Sequence, residues 1–219
     1  MHVPEHFHMD DDVAIAIVET VGAGEMVTSS DDGLEASYLP FHAEVSGSGG
    51  LRALTTHIAA VNPQRRHDGA EALVLFRGPD TFIPSAWLSD PDEGLVVGAS
   101  WDYLTVQVRG HLVIHEDEAW IRAQLRRHGE SVEPDFDFDE LSEDYWSKMG
   151  RALVGVEIVV DSLVGKAKMH QNKTPEAIHR IIAGLRAHGR DDVADWMATH
   201  SLAHAEARRD LIESLRQGD

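Results

Sequence analysis

Hydrophobic positions along this chain change their spacing several times, and each change marks an element. Leu104, Val106 and Val108 alternate with Thr105, Gln107 and Arg109, and the alternation runs on through Gly110 to Leu112 and Ile114. That period of two predicts a strand with one face inward. Ala72-Leu73-Val74-Leu75-Phe76 is instead an unbroken apolar run between Gly69 and Gly78, and its length and β-branched content favour a buried strand over a helix. Glu25 to Ser29 and Leu34 to Phe41 read as a hairpin turning at Asp31-Asp32-Gly33. Leu51 to His57 and Leu153 to Val160 read as further strands.

Helical spacing appears between these strands. Val13, Ile17 and Val21 share one face behind Asp10 to Asp12, and Gly22 and Gly24 end the helix. Glu116 to His128 predicts a second helix, and Ser142 caps a short third one. Thr174-Pro175-Glu176 opens a helix that stops at His188-Gly189, and Asp191 to Arg216 supplies the last. Ser46 to Gly50 is a flexible loop, Ala59 to Asn62 a turn or a single helical turn halted by Pro63, and Ser89 to Gly94 a polar loop that either covers a site mouth or serves as an ordinary connection.

A β-rich body with inserted helices and two appended ones predicts an α+β, mainly β fold of barrel plan, not a doubly wound sheet. The expected division is a barrel over residues 1–172 and a helical extension packed on it over 173–219. No internal repeat, GxGxxG, P-loop, GxSxG or HExxH is present, which removes the best support for the commonest nucleotide, phosphate, esterase and zinc-protease readings.

Composition narrows the setting. With 42% hydrophobic residues in 219, the chain can bury a real core, and with no cysteine it has neither disulfides nor thiolate sites. A cytoplasmic location is the expectation, since the N-terminus shows no basic stretch followed by an apolar run and no segment has bilayer-spanning length. The net charge of -19 repels phosphate backbones, so direct DNA binding is disfavoured. His2, His6, His8, His42, His111 and His115 match no closed zinc spacing, and Asp135 to Glu140 lacks the glycine of a calcium loop.

Several short strings stand out along the chain, polar groups gathering at both ends of the Ala72 to Phe76 strand. They are Met1-His2-Val3-Pro4-Glu5-His6-Phe7, Leu39-Pro40-Phe41, His57-Ile58-Ala59-Ala60-Val61-Asn62-Pro63-Gln64, Phe76-Arg77-Gly78-Pro79 and Ser85-Ala86-Trp87. Ser100-Trp101-Asp102-Tyr103, Val154-Gly155-Val156-Glu157-Ile158 and Gly165-Lys166-Ala167-Lys168-Met169-His170-Gln171-Asn172 complete the series. In this order they resemble the PaiB-type family, catalogued as FMN-binding negative transcriptional regulators with a flavin-reductase-like split barrel, over about residues 1–185. The resemblance implies a homodimer of six-stranded barrels with FMN in clefts where the subunits meet. The same branch is similar to the haem-dependent piperazate synthases, which makes haem the alternative cofactor. Three positions depart from the usual strings: Gln107 stands for His, Asp102 for Asn, and His170 for the Ser that precedes Gln-Asn.

Within that resemblance, His57 at a strand end is the candidate axial ligand if haem iron is bound, its other ring nitrogen held by an acceptor. The bland alternative is a histidine bonded to a nearby carbonyl. Lys166 and Lys168 alternate along an extended segment and so face one side, suited to an FMN phosphate or haem propionates, or forming a solvated basic edge. Asn62 and Arg65, the latter grouped with Arg66 and His67, are further candidate cofactor contacts. Ser85, Trp87, Trp101 and Tyr103 are candidates to line a planar cofactor, or to pack at a dimer interface. Gln171 and Asn172 offer amides to a flavin edge, or tie down a chain turn. Catalytic residues stay unassigned: Asp102, Tyr103 and Gln107 cluster on one strand without marking a base. The readings carried forward are a flavin- or haem-binding dimer with a redox role, a non-catalytic regulator acting indirectly, and a haem enzyme acting on a hydroxylated amine.

Overall fold

The computed structural model describes all residues except 31, 32, 90–93, 95, 218 and 219, and the side chain of Gln217. Asp31 and Asp32 of the expected hairpin turn, and most of the Ser89 to Gly94 loop, therefore lie outside the described residues. The chain is α+β and mainly β, of the split-barrel type. Its sheet is open, and its order runs β3-β2-β6-β7-β8-β5-β4, with β1 pairing β8. In sequence these strands are β1 (His8–Met9), β2 (Ala23–Ser30), β3 (Gly33–Pro40), β4 (His42–Val45), β5 (Leu51–Ala59), β6 (Glu71–Ile83), β7 (Ser100–His115) and β8 (Leu153–Lys168).

The chain divides into two compact units, with divisions at residues 76/77, 105/106 and 165/166, inside β6, β7 and β8. One unit comprises residues 10–76 and 106–165. It opens with helix α1 (Asp11–Val21), which ends where Gly22 takes a left-handed φ of 64° that glycine adopts without strain. The expected stripe of Val13, Ile17 and Val21 is half-buried, and the fully inward positions are Ala14, Ile15 and Val18. The apolar face is wider than a three-residue stripe, so its centre lies one position further on. β2 pairs antiparallel with β3 and with β6, and β5 pairs antiparallel with β8 in a register that sets His57 opposite Gly155.

The inward faces of these strands supply Met26, Leu54, Val74, Phe76, Val106, Val108, Val156 and Ile158, all essentially inaccessible. Each large side chain removed from water in this way contributes about 1.5–3 kcal/mol. Phe41 meets Phe76 edge to face at 5.6 Å. Helix α3 (Glu118–Val132) is capped by Asp117, which accepts from Trp120 N, and α4 (Glu143–Ala152) by Ser142, which accepts from Tyr145 N.

The second unit comprises residues 1–9, 77–105 and 166–219. Here β6 continues past Phe76 to Ile83, beyond the run that the sequence marks. Gly78 makes that continuation possible, since a Cβ at this position would lie 2.9 Å from Leu104 Cβ. A short α2 (Ser85–Leu88) follows, and α5 (Pro175–Ala187), α6 (Asp191–Trp196) and α7 (Leu202–Gln217) complete the unit. Thr174 caps α5 as expected. Ile178, Ile181, Leu185, Val193 and Met197 form its buried helical core. A π turn at Met197–Ser201 joins α6 to α7 and places Ser201 Oγ where it donates to Met169 O at 2.8 Å. Arg208 then donates to the carbonyls of Asn172 and Lys173. Among the described residues no helix is long and apolar enough to cross a membrane.

Candidate functional site

Alternation along β7 sends Asp102 and Leu104 inward and leaves Trp101 exposed and Tyr103 half-buried. Lys166 and Lys168, two residues apart at the end of β8, both come to the Tyr103 ring, their Nζ atoms 5.5 and 5.9 Å from its centroid. Those are cation–π distances. Lys168 is held there, because its ammonium donates to Ser100 Oγ at 2.7 Å and to the Trp101 carbonyl at 2.6 Å. Lys166 reaches the carbonyl of His2 at 3.3 Å.

Trp101 is 52% exposed and tilts against Phe82, itself 51% exposed, with ring centroids 6.3 Å apart. Beside them a cavity of about 260 Å³ is bounded by Arg77, Asp80, Trp101, Tyr103, Leu104 and Thr105. An aromatic shelf with two ammonium groups at its edge suits a flat ligand that carries an anionic tail. Of the candidates named from sequence, Trp101, Tyr103, Lys166 and Lys168 are thus brought together.

Directly inside this shelf lies a pair that the sequence marked as departures, Asp102 also as a catalytic candidate left unassigned. Asp102 is fully buried, and His170 donates from Nδ1 to its Oδ2 at 2.6 Å. Asp102 Oδ1 has no hydrogen-bond partner among the described residues. Burial pushes the Asp102 carboxyl above the ordinary carboxylate value, while His170, Lys168 and the Ser100 hydroxyl pull it down. His170 adopts φ of 60°, a left-handed conformation that costs a non-glycine residue about 1–2 kcal/mol. Gln171, next in sequence, is buried and closes the turn on itself, accepting from Met169 N and donating to Ala167 O. Asn172 is exposed.

Ser85 is exposed at the start of α2, and Trp87 packs on α5. A Cβ at Gly184 would lie 2.5 Å from the Trp87 indole, and His188 is 5.2 Å from that ring.

His57, Asn62 and Arg65 belong to the other unit. His57 is half-buried and donates from Nδ1 to Gln124 Oε1 at 3.3 Å; burial lowers its pKa and the Gln124 bond opposes that shift. The imidazole is therefore neutral at neutral pH, with Nε2 turned away from the amide. Gln124 Nε2 is buried without a partner among the described residues. Asn62 caps the 3-10 turn Pro63–Arg66 and donates to Ser37 Oγ at 3.2 Å. Arg65 donates to Ala60 O and to Glu116.

Sequence reasoning passed over Gln64 and Gln124. Gln64 is buried, accepts from Ser37 Oγ and donates to Thr28 Oγ1. Its signal was present, as the last residue of the His57 string. Gln124 carries no such mark within its helix.

Comparison with known proteins bears on this arrangement. Residues 1–162 match the family described as a "putative FMN-binding domain". Protease synthase and sporulation protein PAI 2 of Bacillus subtilis is 24% identical over 192 residues, covering 85% of this chain and 89% of that one. Among solved structures, the flavocytochrome Anf3 of Azotobacter vinelandii aligns with a TM-score of 0.55 at 14% identity, over 76% of this chain and 72% of that one. An FAD and haem binding protein of Mycobacterium smegmatis aligns with a TM-score of 0.50 at 16% identity, over 69% and 68%. At these identities the structural likeness concerns the fold.

Proposed function

The chain belongs to this FMN-binding-domain family, and from that premise we propose that it is a flavin-binding split-barrel protein whose cofactor is FMN. The observation that carries the reading is the meeting of Lys166 and Lys168 over Tyr103 beside the exposed Trp101. In it the two ammonium groups hold the flavin phosphate, and Trp101 and Tyr103 offer faces to the ring system. When bound, the flavin supplies hydride or single-electron transfer, and the protein supplies its position and electrostatics. The redox role is part of the proposal.

A homodimer completes it. The aromatic pair Phe82 and Trp101 stands half in solvent, and a flat ligand resting on it needs a second wall to exclude water. A second copy supplies that wall in an inter-subunit cleft. A regulatory role, in this reading, proceeds without contact to the DNA backbone, because a chain of net charge -19 is repelled by phosphates.

Titration of FMN into the protein, followed by flavin fluorescence, tests the assignment. Saturable quenching with one FMN per subunit is expected. Absence of both quenching and any perturbed flavin absorption would overturn it.

A haem reading rests on a different observation, the neutral His57 imidazole oriented by Gln124, a donor set that suits an axial ligand to iron. It is the alternative to FMN, and it carries the reading of an enzyme acting on a hydroxylated amine. Haem titration of the wild type and of His57→Ala separates it, with a Soret band that shifts in the variant expected if it holds and an unchanged spectrum excluding His57.

A further inference from the structure

We propose that Asp102 and His170 form a proton-coupled binding site for a small organic carboxylate. The site is the cavity of about 250 Å³ whose wall includes His170, Asp102, Lys168, Lys173 and Ser100. It shares Lys168 with the flavin reading but does not depend on it, since the Asp102–His170 pair and the rest of this wall take no part in that reading.

Charge gives the first reason. In a chain of net charge -19 this cavity gathers two ammonium groups and an imidazole against one carboxylate, a local reversal of sign that concentrates anions. Lys168 is already oriented by Ser100 and the Trp101 carbonyl, which occupy two of its three donors and leave one. The rest of the wall includes Phe7, Leu88 and Val97, apolar groups that favour an organic acid over an inorganic anion. The volume is below the 300–1,000 Å³ of pockets for drug-sized ligands and suits a small acid.

The dyad gives the second reason. A buried carboxylate with one oxygen unpartnered is costly, and the N–H that the His170 imidazole donates to its other oxygen offsets part of that cost. Because Nδ1 is committed to Asp102, the atom left to hold a second proton is Nε2. When a carboxylate enters, one proton from solvent forms an N–H bond at Nε2 and that N–H donates to the ligand. No bond of the ligand breaks. The charged groups lining the cavity around the ring are Asp102, Lys168 and Lys173; Phe7, Leu88 and Val97 contribute none. The left-handed backbone at His170 is strain retained at the residue that aims the ring, the pattern expected where position matters.

Calorimetric titration of propionate into the purified protein, in two buffers of different ionisation enthalpy, tests this. Saturable binding with uptake of up to one proton per propionate at neutral pH is expected. Inorganic phosphate, which Lys166 and Lys168 can take up, should leave the His170 ring with one protonated nitrogen. His170→Asn, which tolerates the left-handed backbone, should lose the proton uptake and weaken propionate about tenfold. In the wild type, nitrogen-15 spectra should show the His170 ring passing from one protonated nitrogen to two as propionate is added, a readout that needs no variant. Lack of saturable propionate binding, binding without proton uptake, uptake that persists in His170→Asn, or the same change of the His170 ring with phosphate as with propionate would each overturn the proposal.

Discussion

His115 and Trp120 stack face to face over Gly155, their ring centroids 4.0 Å apart and their planes within 7° of parallel. The contact is so close that a Cβ at residue 155 would collide with the Trp120 ring and crowd the Cβ of His115. Gly155 is also the residue that β8 sets opposite His57.

Gly155→Ala is therefore expected to destabilise the protein by about 1–3 kcal/mol through overpacking. Urea unfolding measures this. Combining it with Trp120→Ala, which removes the obstacle, should recover part of the loss in a double-mutant cycle; simple addition of the two losses would contradict the steric account.

Ser201→Ala should remove the hydroxyl that the π turn brings to Met169 O and leave that buried carbonyl short of a donor. A loss of about 1–3 kcal/mol is expected. Hydrogen exchange should speed up in α5 and α7 while β5 keeps its protection, and uniform acceleration throughout would count against a local role.

Acid sensitivity should come from three histidines of one unit. Burial lowers the pKa of His57, His42 and His128 below the ordinary imidazole value of 6.5. For His42 Arg127 adds to the lowering, and for His128 His57 and His42 do. The unfolded chain then binds more protons than the folded one, so stability is full above the unfolded value and declines as pH falls through it toward the lowered folded values. Urea midpoints measured from neutral pH downward should fall. His128→Gln should flatten that dependence, and an unchanged slope would remove His128 from the account.

Lys166→Gln with Lys168→Gln should weaken FMN by about tenfold or more, while riboflavin, which lacks the phosphate, should be nearly unaffected. Lys168→Gln alone should cost more than Lys166→Gln, because it also releases Ser100 and the Trp101 carbonyl. Equal losses for FMN and riboflavin would mean that the two ammonium groups do not meet the phosphate. Phe82→Asp should lower the sedimentation mass to that of a single chain if the aromatic pair lies in the dimer contact.

What the sequence revealed follows the range of the interactions involved. Caps are local, so Ser142 and Thr174 were legible as helix starts. The period of two in β7 was legible because one face is buried along most of its length. The extension of β6 beyond Phe76 was not, since Gly78 and Pro79 read as punctuation until Leu104 is known to lie against Gly78. Tyr103 with Lys166 and Lys168 was half legible: the lysine spacing gave a shared side, but the ring beneath comes from another strand. The Asp102–His170 pair joins positions 68 residues apart, and no local pattern reports such a pairing. Both residues were visible as departures from the strings around them, and Asp102 also as one of a cluster on its strand, but their meeting belongs to the fold. Gln124 was invisible, a polar residue on a polar helix whose use is set by His57.

The π turn at Met197–Ser201 also fixes how the chain's last helix is phased. Such a bulge is one residue more than an α-helix would use, and each residue of an α-helix advances the side chains by about 100°. Straightening the turn into α-helix at unchanged length would rotate everything downstream by about that angle, carrying the Arg208 guanidinium away from the carbonyls of Asn172 and Lys173. The final helix is thus docked by counting, and its attachment is sensitive to winding at one point where its composition alone would pass for an ordinary solvent-facing segment.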